Sequence, residues 1–429
     1  MVENFKPHIG KNVLETLTMG MYDDSRFIFR EYIQNAADQI DVAVEENILL
    51  GKDKGEINIT IDRLDRTITI EDNATGIKSK SVLNFLGDVA NSQKDSANRK
   101  GFRGIGRLGG LGYCSKLIFE TSYKGESEKN IMTLNGDLLR EIISDRKVDD
   151  DASAVLSIIT SIENFPEEAN SHYFKVKLLD VSFTNDVILD ADKVSEYLRT
   201  VAPLPFRKEF SFAEEIVDFY KKNNLTFDEY NVKLNEIKLN KAYKDYITIK
   251  DFKSTLIGVD FFKVFDDDEL IAIGWFGYGN FVNITLPKEN IERGIRIRKN
   301  NITIGDENTL NRFFKQDRTN YRLIGELHVI SSKLIPNARR DYFNDSKTTQ
   351  VFEDKLRAIF KEENWESRIA DTASSIHNRV KEIEQYQKFK NDFEKNKEKF
   401  TNKEQELKVT QELENAKQKA LRASQTLYK

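Results

Sequence analysis

The sequence predicts two successive α+β units followed by a long, charged helical segment. Three observations carry this reading. A helical repeat from Asn12 to about Leu50 runs into the alternating stretch Glu56-Ile57-Asn58-Ile59-Thr60-Ile61. A second region, from about Arg207 to Trp365, mixes strand-like and helical runs again. From about Glu366 to Lys429 there is neither proline nor glycine, and Lys, Glu, Gln and Asn dominate.

The elements follow in order. In the first helix Phe27, Tyr32, Ile33, Ala36 and Ile40 recur at three- and four-residue steps, with charges between them. Thr67-Ile68-Thr69-Ile70 repeats the strand alternation after the turn-like Leu64-Asp65-Arg66. A polar, glycine-containing segment from Asp72 to Gly112 precedes the apolar Leu117-Ile118-Phe119, a further strand. More strands are expected at Ala154–Thr160 and Tyr173–Leu179, closing a first domain near Phe206, residues 1–206. The second domain, 207–365, is expected to hold strands at Leu270–Phe276, Phe281–Leu286, Ile295–Ile304 and Leu323–Ser331. Its helices are expected around Phe212–Lys222 and Thr349–Glu362. In the tail, 366–429, a narrow apolar seam (Ile376, Val380, Ile383, Tyr386, Phe389) suits one or two long helices that pair as a coiled coil. Beyond Phe400 the seam thins, and a solvated helix fits the pattern as well as a paired one.

Bulk composition narrows the class. A length of 429 residues exceeds one ordinary core. No apolar run approaches the roughly 20 residues that span a bilayer, and the first residues lack a basic-then-apolar secretory design. The lone Cys114 excludes an internal disulfide, and His8, His172, His328 and His377 are scattered without zinc spacing. A reduced, cytoplasmic setting without membrane contact is expected. The net charge of −5 excludes a general polyanion binder.

Three constellations carry chemistry. In Arg30-Glu31-Tyr32-Ile33-Gln34-Asn35-Ala36-Ala37-Asp38, helical spacing turns Glu31, Asn35 and Asp38 the same way. A carboxylate and an amide one turn apart suit a base that activates water beside a magnesium ligand; a solvated polar helix face explains the triplet equally well. Ile70-Glu71-Asp72-Asn73-Ala74-Thr75-Gly76-Ile77 places a carboxylate at a strand end before a tight turn. Such a carboxylate can accept a hydrogen bond from an adenine amino group, although a plain Asp-Asn turn is the commoner use of this pattern. Gly101-Phe102-Arg103-Gly104-Ile105-Gly106-Arg107-Leu108-Gly109-Gly110-Leu111-Gly112 offers backbone amides that can surround phosphates. Taken alone it reads as a mobile surface loop, and it matches neither a Walker loop nor a dinucleotide fingerprint.

In order and spacing the three resemble the motif series of the GHKL ATPase superfamily, most closely its HtpG-type chaperone branch. Glu31, Asn35 and Asp38 match the helix motif Glu-x-x-x-Asn-x-x-Asp, and Asp72, Ala74 and Gly76 match the adenine turn Asp-x-Gly-x-Gly. Leu86-Gly87-Asp88-Val89-Ala90-Asn91-Ser92 resembles the segment before that branch's lid, and Gly101-x-x-Gly104-x-Gly106 its phosphate-covering loop. The resemblance implies a Bergerat-type α/β sandwich that binds and hydrolyses ATP with magnesium. Glu31 would be the general base, Asn35 the magnesium ligand and Asp72 the adenine acceptor, while Gly104 and Gly106 would offer amides to the phosphates. Asp38, Gly76, Ile77, Gly101 and Ile105 complete the expected nucleotide-binding set. Two departures stand out: Ala74 replaces the first glycine of the adenine turn, and the usual late Gly-Thr pair is not visible, Tyr173-Phe174 occupying its place.

Farther on, Tyr321-Arg322-Leu323-Ile324-Gly325-Glu326-Leu327-His328 leads into Lys333-Leu334-Ile335-Pro336-Asn337-Ala338-Arg339-Arg340-Asp341. This stretch resembles the middle, or transducer, domain of HtpG-type chaperones. Arg340 falls where an arginine reaches the γ-phosphate, with Arg339 in reserve; the competing use of Arg340 is an ion pair with Asp341 or Glu326. The implied function is a slow ATPase acting as a conformational clamp of chaperone type. It would work as a homodimer or with a partner protein through the C-terminal helices. The alternative is a MORC- or MutL-like DNA-associated clamp in genome maintenance or bacterial defence. It would use the basic strand around Arg296, Arg298 and Lys299, which reads equally well as an exposed, charge-protected edge. A sensor histidine kinase is disfavoured because His8 is the sole histidine upstream of the motifs.

Overall fold

The computed structural model describes residues 9–20, 24–88, 106–145, 147, 150–249, 252–279, 281, 284–362, 365–396 and 402–427. The expected first helix is broken. A short α1 (Asn12–Glu15) runs into a π-helical turn, Thr16–Gly20, and a new helix α2 spans Phe27–Glu45. The restart is local: the Asp24 carboxylate accepts from the Arg26 backbone N–H at 3.0 Å, and the Asp24 carbonyl accepts from Phe27. Helix α2 stops at Asn47, whose φ of 56° is the left-handed conformation that ends helices. Its apolar face (Phe29, Ile33, Ala36, Ile40) is buried against a sheet.

That sheet has eight strands. They are β1 (Glu56–Asp62), β2 (Thr67–Asp72), β3 (Cys114–Ser122), β4 (Glu128–Asn135), β5 (Thr160–Pro166), β6 (Tyr173–Val181), β7 (Asn231–Leu234) and β8 (Ile237–Lys238). Their order is β5-β4-β3-β6-β2-β1-β7-β8, and every neighbouring pair is antiparallel except β1 with β7. Ile57, Ile59, Ile61, Ile68 and Ile70 alternate into the core as the pattern required. The last two strands come from beyond Phe206: Val232 and Leu234 sit in the same core as Ile57 and Ile59. Helices α3 (Val82–Gly87), α4 (Gly136–Ser144), α5 (Ala152–Ile159) and α6 (Ala191–Val201) complete this unit.

The stretch expected as a strand at Ala154–Thr160 is helix α5 up to Ile159. Asp151 caps it, its carboxylate accepting from the Ser153 N–H at 2.9 Å, and a cap outweighs the strand preference of a short apolar run. The strand begins only at Thr160.

The second sheet has six strands: β9 (Tyr246–Ile249), β10 (Phe252–Asp266), β11 (Glu269–Gly279), β12 (Gly294–Lys299), β13 (Ile302–Ile304) and β14 (Ile324–Val329). Its order is β13-β12-β14-β11-β10-β9, with β12 and β14 parallel. Helices α7 (Ala213–Lys222) and α8 (Lys347–Arg357) belong here. No described residue of the expected strand Phe281–Leu286 is in a strand; Phe281 and Leu286 are buried core residues in a loop. Strand β12 is not an edge strand, since β13 and β14 flank it on both sides.

The tail forms α9 (Trp365–Asn396) and α10 (Lys403–Leu427), which pack against one another. Val380, Ile383, Tyr386 and Phe389 are half-buried on α9, as the seam requires; the side chain of Ile376 lies outside the described residues. On α10, Val409, Leu413, Ala416, Ala420 and Ala423 form the answering stripe at four- and three-residue steps. The seam therefore continues past Phe400, in smaller side chains.

Candidate functional site

Helix α2 carries the first group. Glu31 and Asp38 are buried and Asn35 is half-buried. Oε1 of Glu31 has no hydrogen-bond partner among the described residues, an unusual state for a buried carboxylate oxygen. Two guanidinium groups face it instead, Arg30 Nε at 3.8 Å and Arg340 Nε at 3.6 Å. On its other side lies the glycine-rich loop. A Cβ built on Gly106 would stand 2.4 Å from Glu31 Oε2, so any larger residue there would push the carboxylate aside. The Tyr32 hydroxyl joins loop and helix, donating to the Arg107 carbonyl at 3.0 Å and accepting from the Gly110 N–H at 3.1 Å. Gly101, Gly104 and Ile105 lie outside the described residues, as do Val89 to Ser92 of the segment before the lid.

The second group sits at the end of β2. Asp72 is buried, and burial pushes its carboxyl up to about 7, against the Ala74 N–H that donates to it at 3.1 Å. Gly76 has a φ of 66°, and a Cβ there would meet the Ser122 carbonyl oxygen at 1.9 Å. Ala74 is buried and is not among the residues with positive φ, so its backbone takes an ordinary conformation without glycine. Its carbonyl lies 2.7 Å from His172 Nδ1, while Thr75 donates to Gln39 of α2 at 3.0 Å.

Sequence reasoning missed Thr121. This fully buried side chain on β3 accepts from the Ile77 N–H at 2.9 Å and donates to the Tyr173 carbonyl at 3.0 Å. The strand register sets Phe174 between Asp72 on β2 and Thr121 on β3. A threonine thus stands on the strand adjoining Tyr173-Phe174, and its only sequence signal is a polar strand end, Glu120-Thr121-Ser122.

The second domain supplies Arg340. Its φ of 55° is left-handed, its carbonyl accepts from Gly305 at 2.7 Å, and its side chain is buried against α2. Arg339 approaches the same helix through its carbonyl, which accepts from Arg30 Nη2 at 3.2 Å. The expected competitors are engaged elsewhere: Asp341 accepts from Asn337, and Glu326 holds Lys241, Arg298 and His328.

The basic strand that the alternative, DNA-associated reading would use is not an exposed, charge-protected edge. Arg298 is 0% exposed, Arg296 is buried against Glu307, and Lys299 turns its Nζ onto the carbonyls of Ile330 and Ser331. Arg296 and Arg298 are thus withdrawn from a phosphate backbone, and Lys299 is half-buried with its ammonium already engaged.

Residues 29–153 match the family described as "Histidine kinase-, DNA gyrase B-, and HSP90-like ATPase". The N-terminal unit is a GHKL-type ATPase domain. Chaperone protein HtpG of Fusobacterium nucleatum is 26% identical over 251 residues, covering 53% of this chain and 40% of the relative. Chaperone protein HtpG of Idiomarina loihiensis is 31% identical over 120 residues (25% of this chain, 19% of the relative). That of Clostridium acetobutylicum is 30% identical over 127 residues (27% and 20%). The chain thus spans between 19% and 40% of the length of these relatives. Among the described residues no helix is long and apolar enough to cross a membrane.

Proposed function

We propose that the chain is a magnesium-dependent ATPase in which ATP clamps the second domain onto the first, as in an HtpG-like chaperone. One observation carries this reading: the buried Glu31 carboxylate, whose Oε1 has no hydrogen-bond partner among the described residues, lies between the backbone of Gly106 and the side chain of Arg340 from the other domain.

Asp72 accepts the adenine amino group, and the turn through Gly76 and Ile77 lets the base approach the backbone. Glu31 takes the proton from the attacking water, a role worth about 10²–10⁴-fold in rate. Arg340, freed from Glu31, pairs with the γ-phosphate and neutralises the charge that grows there. The donor set suits magnesium, because the half-buried Asn35 offers an amide oxygen one turn from Glu31 and substrate phosphates supply hard oxygens. Bound there, the ion would draw charge from the phosphate oxygens. Asp38, Gly101, Gly104, Ile105 and Gly106 complete the nucleotide set.

Three units, 1–206, 207–365 and 366–429, belong to this proposal, with β7 and β8 handed back to the first sheet. Turnover is slow because the clamp must hold ATP while it works on a client. Dimerisation through α9 and α10, and a cytoplasmic setting, complete the reading.

The test is hydrolysis and binding with magnesium and ATP. Wild type should turn over, Glu31→Ala should bind ATP and remain inert, and Asp72→Ala should lose binding. A Glu31→Ala protein that hydrolyses at the wild-type rate sinks the assignment.

A further inference from the structure

The second domain keeps three ionisable side chains where water does not reach. Arg298 on β12, Glu326 on β14 and Lys241, three residues past β8, are each 0% exposed. Lys241 Nζ donates to both Glu326 oxygens, at 2.8 and 2.7 Å, and to Asn301 Oδ1 at 2.7 Å. Arg298 Nε ion-pairs with Glu326 Oε1, and His328 Nε2 lies 2.9 Å from Oε2. Apolar residues of similar volume often hold a core as well as a buried charge set does, so stability alone is a weak reason for this one. Charges give direction, and two chains of bonds lead from this cluster out of the domain.

One arm reaches helix α6. Arg298 Nη2 donates to the Thr200 carbonyl at 2.8 Å and Nη1 to that of Ala202 at 3.3 Å, at the helix end where carbonyls lack partners. Thr303 Oγ1 donates to Thr200 as well, at 2.7 Å. Helix α6 in turn packs on α2, where Tyr197 lies 5.0 Å beneath the Arg26 guanidinium.

The other arm runs through Asn301, whose Nδ2 donates to the Asp228 carbonyl at 2.7 Å. The Asp228 carboxylate holds Lys52 at 3.0 Å, and the same Nζ is 2.8 Å from Asp41 on α2. Both arms end on the helix that carries Glu31, and Arg340 meets that helix from the same second domain.

We propose that Arg298, Glu326 and Lys241 are positioning residues for ATP hydrolysis, fixing α2 to the second domain so that Glu31 meets Arg340 in one register. The inference rests on the ATPase reading above. It separates hydrolysis from nucleotide binding, because the turn around Asp72 is held by its own bonds to Thr121, His172 and Gln39.

The test uses the full chain. Magnesium ATP turnover by wild type, abolished in Glu31→Ala, comes first; without it the ATPase reading itself fails, independently of the triad. Arg298→Lys keeps a charge but cannot span both carbonyls and Glu326. Thr303→Val removes one tie to α6 and strands no charge. Ile271→Val, in the second-domain core, controls for a plain loss of stability. We expect cooperative melting in all three, ATP affinity within about threefold of wild type, and kcat lowered about tenfold in Arg298→Lys and about threefold in Thr303→Val. Ile271→Val should keep the wild-type kcat. A folded Arg298→Lys with wild-type kcat overturns the proposal, as does a fall in kcat that Ile271→Val reproduces. Should Arg298→Lys fail to fold, Thr303→Val decides alone, and wild-type kcat there refutes the positioning role.

Discussion

Gly76 faces the carbonyl oxygen of Ser122 so closely that a methyl group on its α-carbon would stand 1.9 Å from that oxygen. With a φ of 66° the position is closed to other residues twice over, by conformation and by contact. Gly76→Ala is predicted to cost about 2–4 kcal/mol and to abolish binding of a fluorescent ATP analogue. Ala74→Gly, two residues away, should bind nucleotide normally and melt slightly lower, by about 0.5–1 kcal/mol of added chain entropy. Equal effects of the two changes would refute this account of the turn.

Asp72 gives the site a pH dependence whose sign follows from its burial. Its carboxyl, held near 7 when the site is empty, binds a proton that the unfolded chain releases near its ordinary value of about 4. Stability contributed by this group is therefore full below about pH 4 and declines as pH rises through about 7. An adenine amino group donates to the ionised form, so ATP binding below about pH 7 should expel a proton, and affinity should rise with pH until it levels off there. Calorimetry at pH 6 in buffers of different ionisation heat measures the proton directly. Binding heats that do not vary with the buffer would contradict the assignment.

His172 reaches across from the approach to β6 and bonds the carbonyl of Ala74 at 2.7 Å. Deleting that bond in His172→Ala should loosen the turn and weaken ATP binding by about three- to tenfold, since one such bond is worth about 1 kcal/mol. The hydrolysis rate at saturating ATP should stay unchanged. A fall in kcat with intact affinity would place His172 in the chemistry instead.

Strand β7 makes the first domain depend on residues beyond Phe206. Tyr230, Val232, Leu234 and Leu239 are all buried in its core. At about 1.5–3 kcal/mol for each buried side chain, their loss approaches the whole stability of an ordinary domain. A fragment ending at Phe206 is predicted to resist cooperative melting, and one ending at Asn240 to melt cooperatively. Cooperative melting of the shorter fragment would show that the sheet stands without β7.

Much of this was legible in the chain itself, where the information was local. The spacing of Glu31, Asn35 and Asp38 and the glycine of the Asp72–Gly76 turn are short-range patterns, and helix and turn geometry fix what they can do. Thr121 and His172 were not legible because their roles depend on which strands become neighbours and in what register. The Ala154–Ile159 run misled because a short apolar stretch suits either structure and the Asp151 cap decides. Arg298 misled for a different reason: a basic alternating strand suggests an exposed edge, and its burial depends on Glu326, distant in sequence, arriving on the adjoining strand.

The central claim is that Arg340 passes from Glu31 to the γ-phosphate when ATP binds. The most direct measurement compares kcat and ATP affinity in Arg340→Ala with those of wild type. The account predicts affinity within about threefold and kcat lowered by tenfold or more, because the lost contact is made as charge builds on the phosphate. An Arg340→Ala protein that hydrolyses ATP as fast as wild type would show that the pair with Glu31 is structural and would contradict the claim.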